Sequence, residues 1–110
     1  MATRQEVYGA IDGERIYQNS RWNPETTTSD GRHSLEEWYM YIEDYVNEAK
    51  HILSRLPRQE ADPKALHIMR KVAAMAVCAM EQHGAPGGNN RRLRYVIAAF
   101  LFQQFCYMIM

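Results

Sequence analysis

Little in this chain speaks for covalent bracing. Only two cysteines occur in 110 residues. Cys78 and Cys106 both stand in apolar helical surroundings, with no His or Cys neighbour at zinc-ligand spacing, so they read as buried free thiols suited to a reducing cytosol, and no disulfide staple is expected. Charge of one sign is not in excess either. Thirteen Lys plus Arg against 13 Asp plus Glu give a formal net charge of zero, which removes the broad basic surface of a nucleic-acid binder but leaves room for a local patch. A glycine-rich phosphate loop is missing, because Gly84 to Gly88 ends a helix whereas a phosphate cradle precedes one. No Ser/His/Asp or Cys/His arrangement is specified, so no catalytic nucleophile can be named. Met1 to Glu6 is polar and runs straight into a helix start, and no signal peptide is expected.

What is present is helical patterning over one domain's length. Apolar residues make up 46% of the chain, enough for a packed core, though a chain this short often completes its core by oligomerising. Thr3-Arg4-Gln5-Glu6 has the form of a capping box. It predicts a first helix from about Arg4 to Gln18, with Val7, Ala10, Ile11 and Tyr17 on its apolar side. Gly9 and Gly13 weaken that helix by roughly 1 kcal/mol each relative to Ala. Residues 19–33 then form a polar loop in which Trp22 is the large apolar anchor.

Ser34-Leu35-Glu36-Glu37 is a second capping box. After it Leu35, Trp38, Ile42, Tyr45, Val46, Ala49, Ile52, Leu53 and Leu56 recur at three- and four-residue steps, one broad apolar face ended by Pro57. Asp62-Pro63 has the form of a helix start, with Asp as N-cap and Pro at the first helical position. The third helix then runs to about His83, with Gly84 after it and Pro86 preventing resumption. Its stretch from Val72 to Met80 is apolar all round and predicts cover on several sides. The composition changes at Gly87-Gly88-Asn89-Asn90. Arg91, Arg92 and Arg94 precede an apolar run, Tyr95 to Met110, slightly short of the about 20 residues a membrane-spanning helix needs. It is expected to be a terminal packing helix, with a membrane contact as the alternative. The expected fold is all-α: a helical hairpin or bundle over residues 1–86, a short N-terminal helix, an apolar C-terminal helix over 87–110, and assembly into an oligomer.

The residues that could carry chemistry lie on the second and third helices. Glu43, Asp44, Asn47 and Glu48 stand opposite the Ile42/Val46/Ala49 stripe, and the four-residue spacing of Glu43 with Asn47 and of Asp44 with Glu48 stacks them one turn apart. Hard oxygen donors so placed suit Mg²⁺, which favours carboxylates, water and substrate phosphates; a solvated face beside Lys50 and Arg55 is the plainer reading. His67 and Lys71, one turn apart, could meet a phosphate. Trp38, Tyr39, Tyr41 and Tyr45 could stack a base or pack a core or interface. The seven methionines suit an adaptable interface or simple core filling.

Glu14-Arg15, Gln18 and Trp22 spell E-R-x-x-Q-x-x-x-W. His33 and Trp38 follow, then the acidic helix, then Arg70-Lys71-Val72-Ala73-Ala74-Met75-Ala76-Val77 and Glu81. In this order the chain, from about Ile11 to His83, resembles small phage and prophage members of the MazG-like all-α nucleotide pyrophosphohydrolases. The resemblance implies a cytoplasmic protein of a bacterial host that handles nucleoside triphosphates with Mg²⁺, which activates water and neutralises phosphates. It places the first metal motif on Glu43, Asp44 and Asn47, with Val46 where the family has glycine. The second pair of ligands falls on Ile68 and Lys71, which cannot bind a hard cation. Nucleotide contacts are expected from Glu48, His67 and Lys71. The expectation is therefore a nucleotide-binding protein with weak or absent Mg²⁺-dependent hydrolysis. The alternative is a phage-encoded helical interaction protein, with a host protein as partner, acting through its Met- and aromatic-rich surface.

Overall fold

The computed structural model describes residues 1–22, 31–87 and 101–103. It is all-α: among the described residues there are three long helices and no strand, α1 (Arg4–Arg21), α2 (Leu35–Arg55) and α3 (Arg58–His83). Residues 101–103 are helical. Most of the expected terminal segment, including Cys106, lies outside the described residues. No helix among them is long and apolar enough to cross a membrane.

Local chemistry accounts for the helix ends. Ser34 Oγ accepts from the Glu37 amide at 3.2 Å and the Glu37 carboxylate accepts from the Ser34 amide at 3.1 Å, so both halves of the capping box are made. The backbone bond holds the Glu37 carboxyl below its ordinary value, with the Ser34 hydroxyl adding to the effect. At Thr3 only half the box forms. The hydroxyl accepts from the Glu6 amide, while the Glu6 carboxylate accepts from the hydroxyl rather than from the Thr3 amide. α1 runs one turn past the expected end, to Arg21, and the Trp22 amide closes it on the Gln18 carbonyl.

Pro57 both stops α2 and starts α3. Its φ of −58° and ψ of 148° leave its carbonyl to accept from the Glu60 and Ala61 amides. The third helix therefore begins at Arg58, one turn before the expected Asp62 cap, and Pro63 sits inside it. A proline there forgoes the bond to the Gln59 carbonyl, and the helix nevertheless runs on through it. Asp62 pairs instead with Arg58 at 3.4 Å.

α2 and α3 form the expected antiparallel hairpin, and α1 packs across α3 as well; α1 and α2 do not pack on one another. Trp38, 1% exposed, is the largest fully buried side chain, and it packs with Met75, Cys78 and Ala79 of α3 and with Trp22, Ile42 and Tyr45. Its indole N–H donates to Gln82 Oε1 at 3.0 Å, so the buried polar atom is satisfied. Trp22 meets Trp38 with ring centroids 5.7 Å apart.

Two faces differ from their expected form. On α2 the side towards α3 is Trp38, Ile42, Tyr45, Ala49, Ile52 and Leu56, whereas Leu35, Val46 and Leu53 of the broad apolar set are exposed. On α1 the residues driven inside are Glu14 and Gln18, while Val7 and Tyr17 stay exposed. The cause is specific bonding. Glu14 Oε1 accepts from Arg70 Nε at 3.0 Å, and Gln18 Nε2 donates to the Lys71 carbonyl at 3.2 Å. Arg15 adds a two-pronged bond to Glu81, at 3.0 and 2.8 Å. α1 is thus held to α3 by polar ties more than by an apolar stripe.

Candidate functional site

Because α1 and α2 flank α3 without touching, a cleft runs along α3 between them. Lys71 is at its centre. It borders three adjoining depressions, of about 460, 570 and 200 Å³. The first lies against α1, with Gly13, Glu14 and Tyr17 facing His67 and Arg70. The second lies against α2, with Tyr45, Glu48 and Ile52 facing Lys64, His67 and Lys71. The third joins them, bounded by Tyr17, Gln18, Trp22, Tyr45 and Met75.

The helical repeat explains the floor. Lys64, His67 and Lys71 are three and four residues apart and share one side of α3. Pro63, on the same wall, is accommodated in the helix as described above. The Lys71 ammonium lies 5.8 Å from the Tyr45 ring centroid, a cation–π contact that holds the lysine against the α2 wall. His67 is held from the other side: Arg70 Nη2 lies 2.6 Å from its Nδ1. A guanidinium has only donors, so Nδ1 is the acceptor and the imidazole proton resides on Nε2. Arg70 is itself fixed by Glu14, which is 8% exposed. Glu14, Arg70 and His67 therefore form a chain from the buried face of α1 to the cleft.

The structure brings together Glu48, His67 and Lys71, the three expected nucleotide contacts, on one depression with Tyr45. It does not bring the expected metal donors to that cleft. Glu43 is exposed, and Asp44 and Asn47 line a different, shallow depression of about 550 Å³ with His51 and Arg55. Glu48 borders both depressions. Among the described residues no three His, Cys, Asp or Glu side chains converge to hold a metal ion. The residues present do not fit Mg²⁺ as the resemblance implies it: all the oxygen donors come from one helix, and the two opposing positions hold a buried apolar side chain, Ile68, and a cation, Lys71, whose charge repels a dication.

Lys64, Tyr17 and the Glu14–Arg70 pair belong to this cleft and are not evident as site residues in the sequence. The three-and-four spacing with His67 and Lys71 could have found Lys64; nothing local reports a pair 56 residues apart. Cys78 is not a poised nucleophile, because burial pushes its thiol up, and its Sγ sits 3.7 Å from Gln82 Nε2. The E-R-x-x-Q-x-x-x-W residues all have structural contacts here: Glu14 on Arg70, Arg15 on Glu81, Gln18 on the Lys71 carbonyl and Trp22 on Trp38. Comparison with protein-family models, with curated proteins and with solved structures finds no match.

Proposed function

We propose that this chain is a nucleotide-binding protein of the MazG-like kind, taking a nucleoside phosphate into the cleft along α3 with little or no hydrolysis. One observation carries the reading: Glu48, His67 and Lys71 meet on a single depression whose wall is the Tyr45 ring. An aromatic face accepts a base by stacking, a lysine and an imidazole N–H suit phosphate oxygens, and a carboxylate can accept from sugar hydroxyls or base amines. The missing carboxylates on the α3 side support binding without turnover. Titration calorimetry with a panel of nucleoside triphosphates, with pyrophosphate release followed in the same samples, tests it. Binding weakened about tenfold or more by Lys71→Met, as loss of a charged contact implies, is the expected result. A silent panel would leave the acidic face of α2 as a solvated surface and remove the reading.

A second reading rests on a different observation. Leu35, Tyr39, Val46 and Leu53 are exposed and, with half-buried Ile42 and Ala49 between them, repeat at alternating four- and three-residue steps along α2. That is the spacing of a helix–helix seam. On α3, Leu66, Met69 and Met80 are exposed with Ala73 and Ala76 between them at the same steps. Leu35, Tyr39, Ala76 and Met80 border one apolar groove of about 500 Å³. We infer that a second copy of this chain covers this side of the hairpin. Sedimentation should report a dimer or larger species that dissociates in Val46→Glu/Leu53→Glu; a monomer at high protein concentration would rule it out.

A further inference from the structure

We infer that the α2 side of the cleft is a phosphate-binding subsite that works without a divalent metal, with Lys64, Lys71 and the Nε2–H of His67 as its donors. The inference rests on the nucleotide-binding reading and specifies how the phosphate end is held. Three features carry it. Lys64, His67 and Lys71 line one depression of about 570 Å³ in which Glu48 is the single lining carboxylate; Lys64 also meets Glu60 at 3.7 Å, an exposed and therefore weak pair that a phosphate can displace. The His67 tautomer is set: with Nδ1 accepting from Arg70 at 2.6 Å, its other nitrogen is a donor. Arg70 cannot turn freely to meet the ligand itself, because Glu14 holds its Nε at 3.0 Å from a carboxylate buried against α3.

Glu14 and Arg70 are therefore positioning residues. The carboxylate neutralises and orients the guanidinium, and the guanidinium orients the imidazole, as an outer partner does for a metal-bound histidine. Lysine ammonium groups are mobile point charges and accept phosphates of differing geometry. The ligand class is a di- or triphosphate. Two ammonium groups and one N–H, spaced over two turns of α3, or about 10 Å, outreach a single phosphoryl group. A Mg²⁺-chelated phosphate has part of its charge already neutralised and offers less to these cations, so chelation weakens binding instead of enabling it.

The test is calorimetric titration of the full chain with inorganic pyrophosphate and with ATP, each in EDTA and in excess Mg²⁺. Pyrophosphate and ATP are expected to bind in EDTA and to compete with each other, with weaker affinity in Mg²⁺. Lys71→Met should weaken both about tenfold or more, and Lys64→Ala, an exposed change that leaves the core untouched, should weaken both by a smaller factor. Nitrogen-15 NMR of His67 should show the Nε2–H tautomer alone in the native chain and a share of the Nδ1–H form appearing in Arg70→Met, which has no donor for Nδ1. ATP binding that demands Mg²⁺, or ATP binding with which pyrophosphate does not compete, overturns this subsite and leaves the nucleotide reading standing. A native His67 with its proton on Nδ1 overturns the positioning chain. Absence of ATP binding in both buffers overturns the subsite together with the reading it rests on.

Discussion

Glu14 and Arg70, 56 residues apart, form an ion pair at 3.0 Å in which the two partners are unequally buried: the Glu14 side chain is 7% exposed and that of Arg70 41%. The inequality decides what each loss costs. Without Glu14, the guanidinium can swing to water. Without Arg70, a carboxylate is left charged and nearly dry. Arg70→Met is therefore expected to destabilise the chain by about 2–3 kcal/mol, below the value for a fully buried pair because Arg70 is partly solvated. Glu14→Gln should cost about 1 kcal/mol, since the amide oxygen can still accept from Arg70. Urea denaturation of both variants and of the double variant measures this. An equal loss in the two single variants would contradict the asymmetry.

The turn before α2 depends on Gly31. Its φ is +75°, and a Cβ there would lie 2.9 Å from the Cβ of Trp22. Gly31→Ala combines a left-handed backbone with a collision against a side chain that packs on Trp38. The expected cost is about 2 kcal/mol. Since Trp22 and Trp38 are the chain's two tryptophans, native emission should shift as their contact loosens. Unchanged emission together with an unchanged denaturation midpoint would show that the turn accepts the extra carbon.

The Ser34 capping box, the hairpin and the Trp38 face were readable because each is a local pattern: Ser34 to Glu37 lie within one turn, and residues 38, 42, 45, 49, 52 and 56 repeat along one helix. The start of α3 was misread because Asp62-Pro63 carries a strong local start signal. The carbonyl of Pro57 begins the helix earlier, and one missing bond at Pro63 does not undo it. The buried face of α1 was not readable at all. Hydropathy assigns Val7 and Tyr17 to the inside, but Glu14 and Gln18 go there because their partners lie on a helix far along the chain. At the cleft, the spacing of His67 and Lys71 revealed their shared side. That Glu48 turns towards them while Glu43, Asp44 and Asn47 do not depends on the rotation of α2 against α3, which no spacing within either helix encodes.

The Trp38 indole occupies the centre of the core and also makes a polar bond, so two substitutions separate the contributions. Trp38→Phe keeps most of the apolar contact with Met75, Cys78 and Ala79 but removes the 3.0 Å indole bond to Gln82 Oε1, which keeps the His33 amide as a donor at 3.2 Å. It should cost about 1–2 kcal/mol, from the lost bond and the smaller ring. Trp38→Ala should cost about 3–5 kcal/mol, a large share of the about 5–15 kcal/mol that holds an ordinary domain folded. Thermal melting followed by circular dichroism distinguishes them. A phenylalanine variant as damaged as the alanine one would place the weight on the Gln82 bond rather than on packing.

Cys78 gives the core a pH limit on the alkaline side. Burial raises its thiol above the ordinary 9.0, so the folded state keeps a proton that the unfolded chain releases. With more protons bound in the folded state, stability must fall as pH rises. The contribution is whole below 9.0 and disappears as pH climbs from there through the raised folded value. In a Cys106→Ala background, which leaves one thiol, the fall in stability above pH 9 should be steeper than in the same chain carrying Cys78→Ala. Iodoacetamide offers an independent measurement on the same thiol. Alkylation at pH 8 should be slow in buffer and quicken sharply in urea, because a buried neutral thiol supplies little thiolate. Native alkylation at the rate of a free cysteine would mean that Cys78 is accessible and that its core packing opens readily.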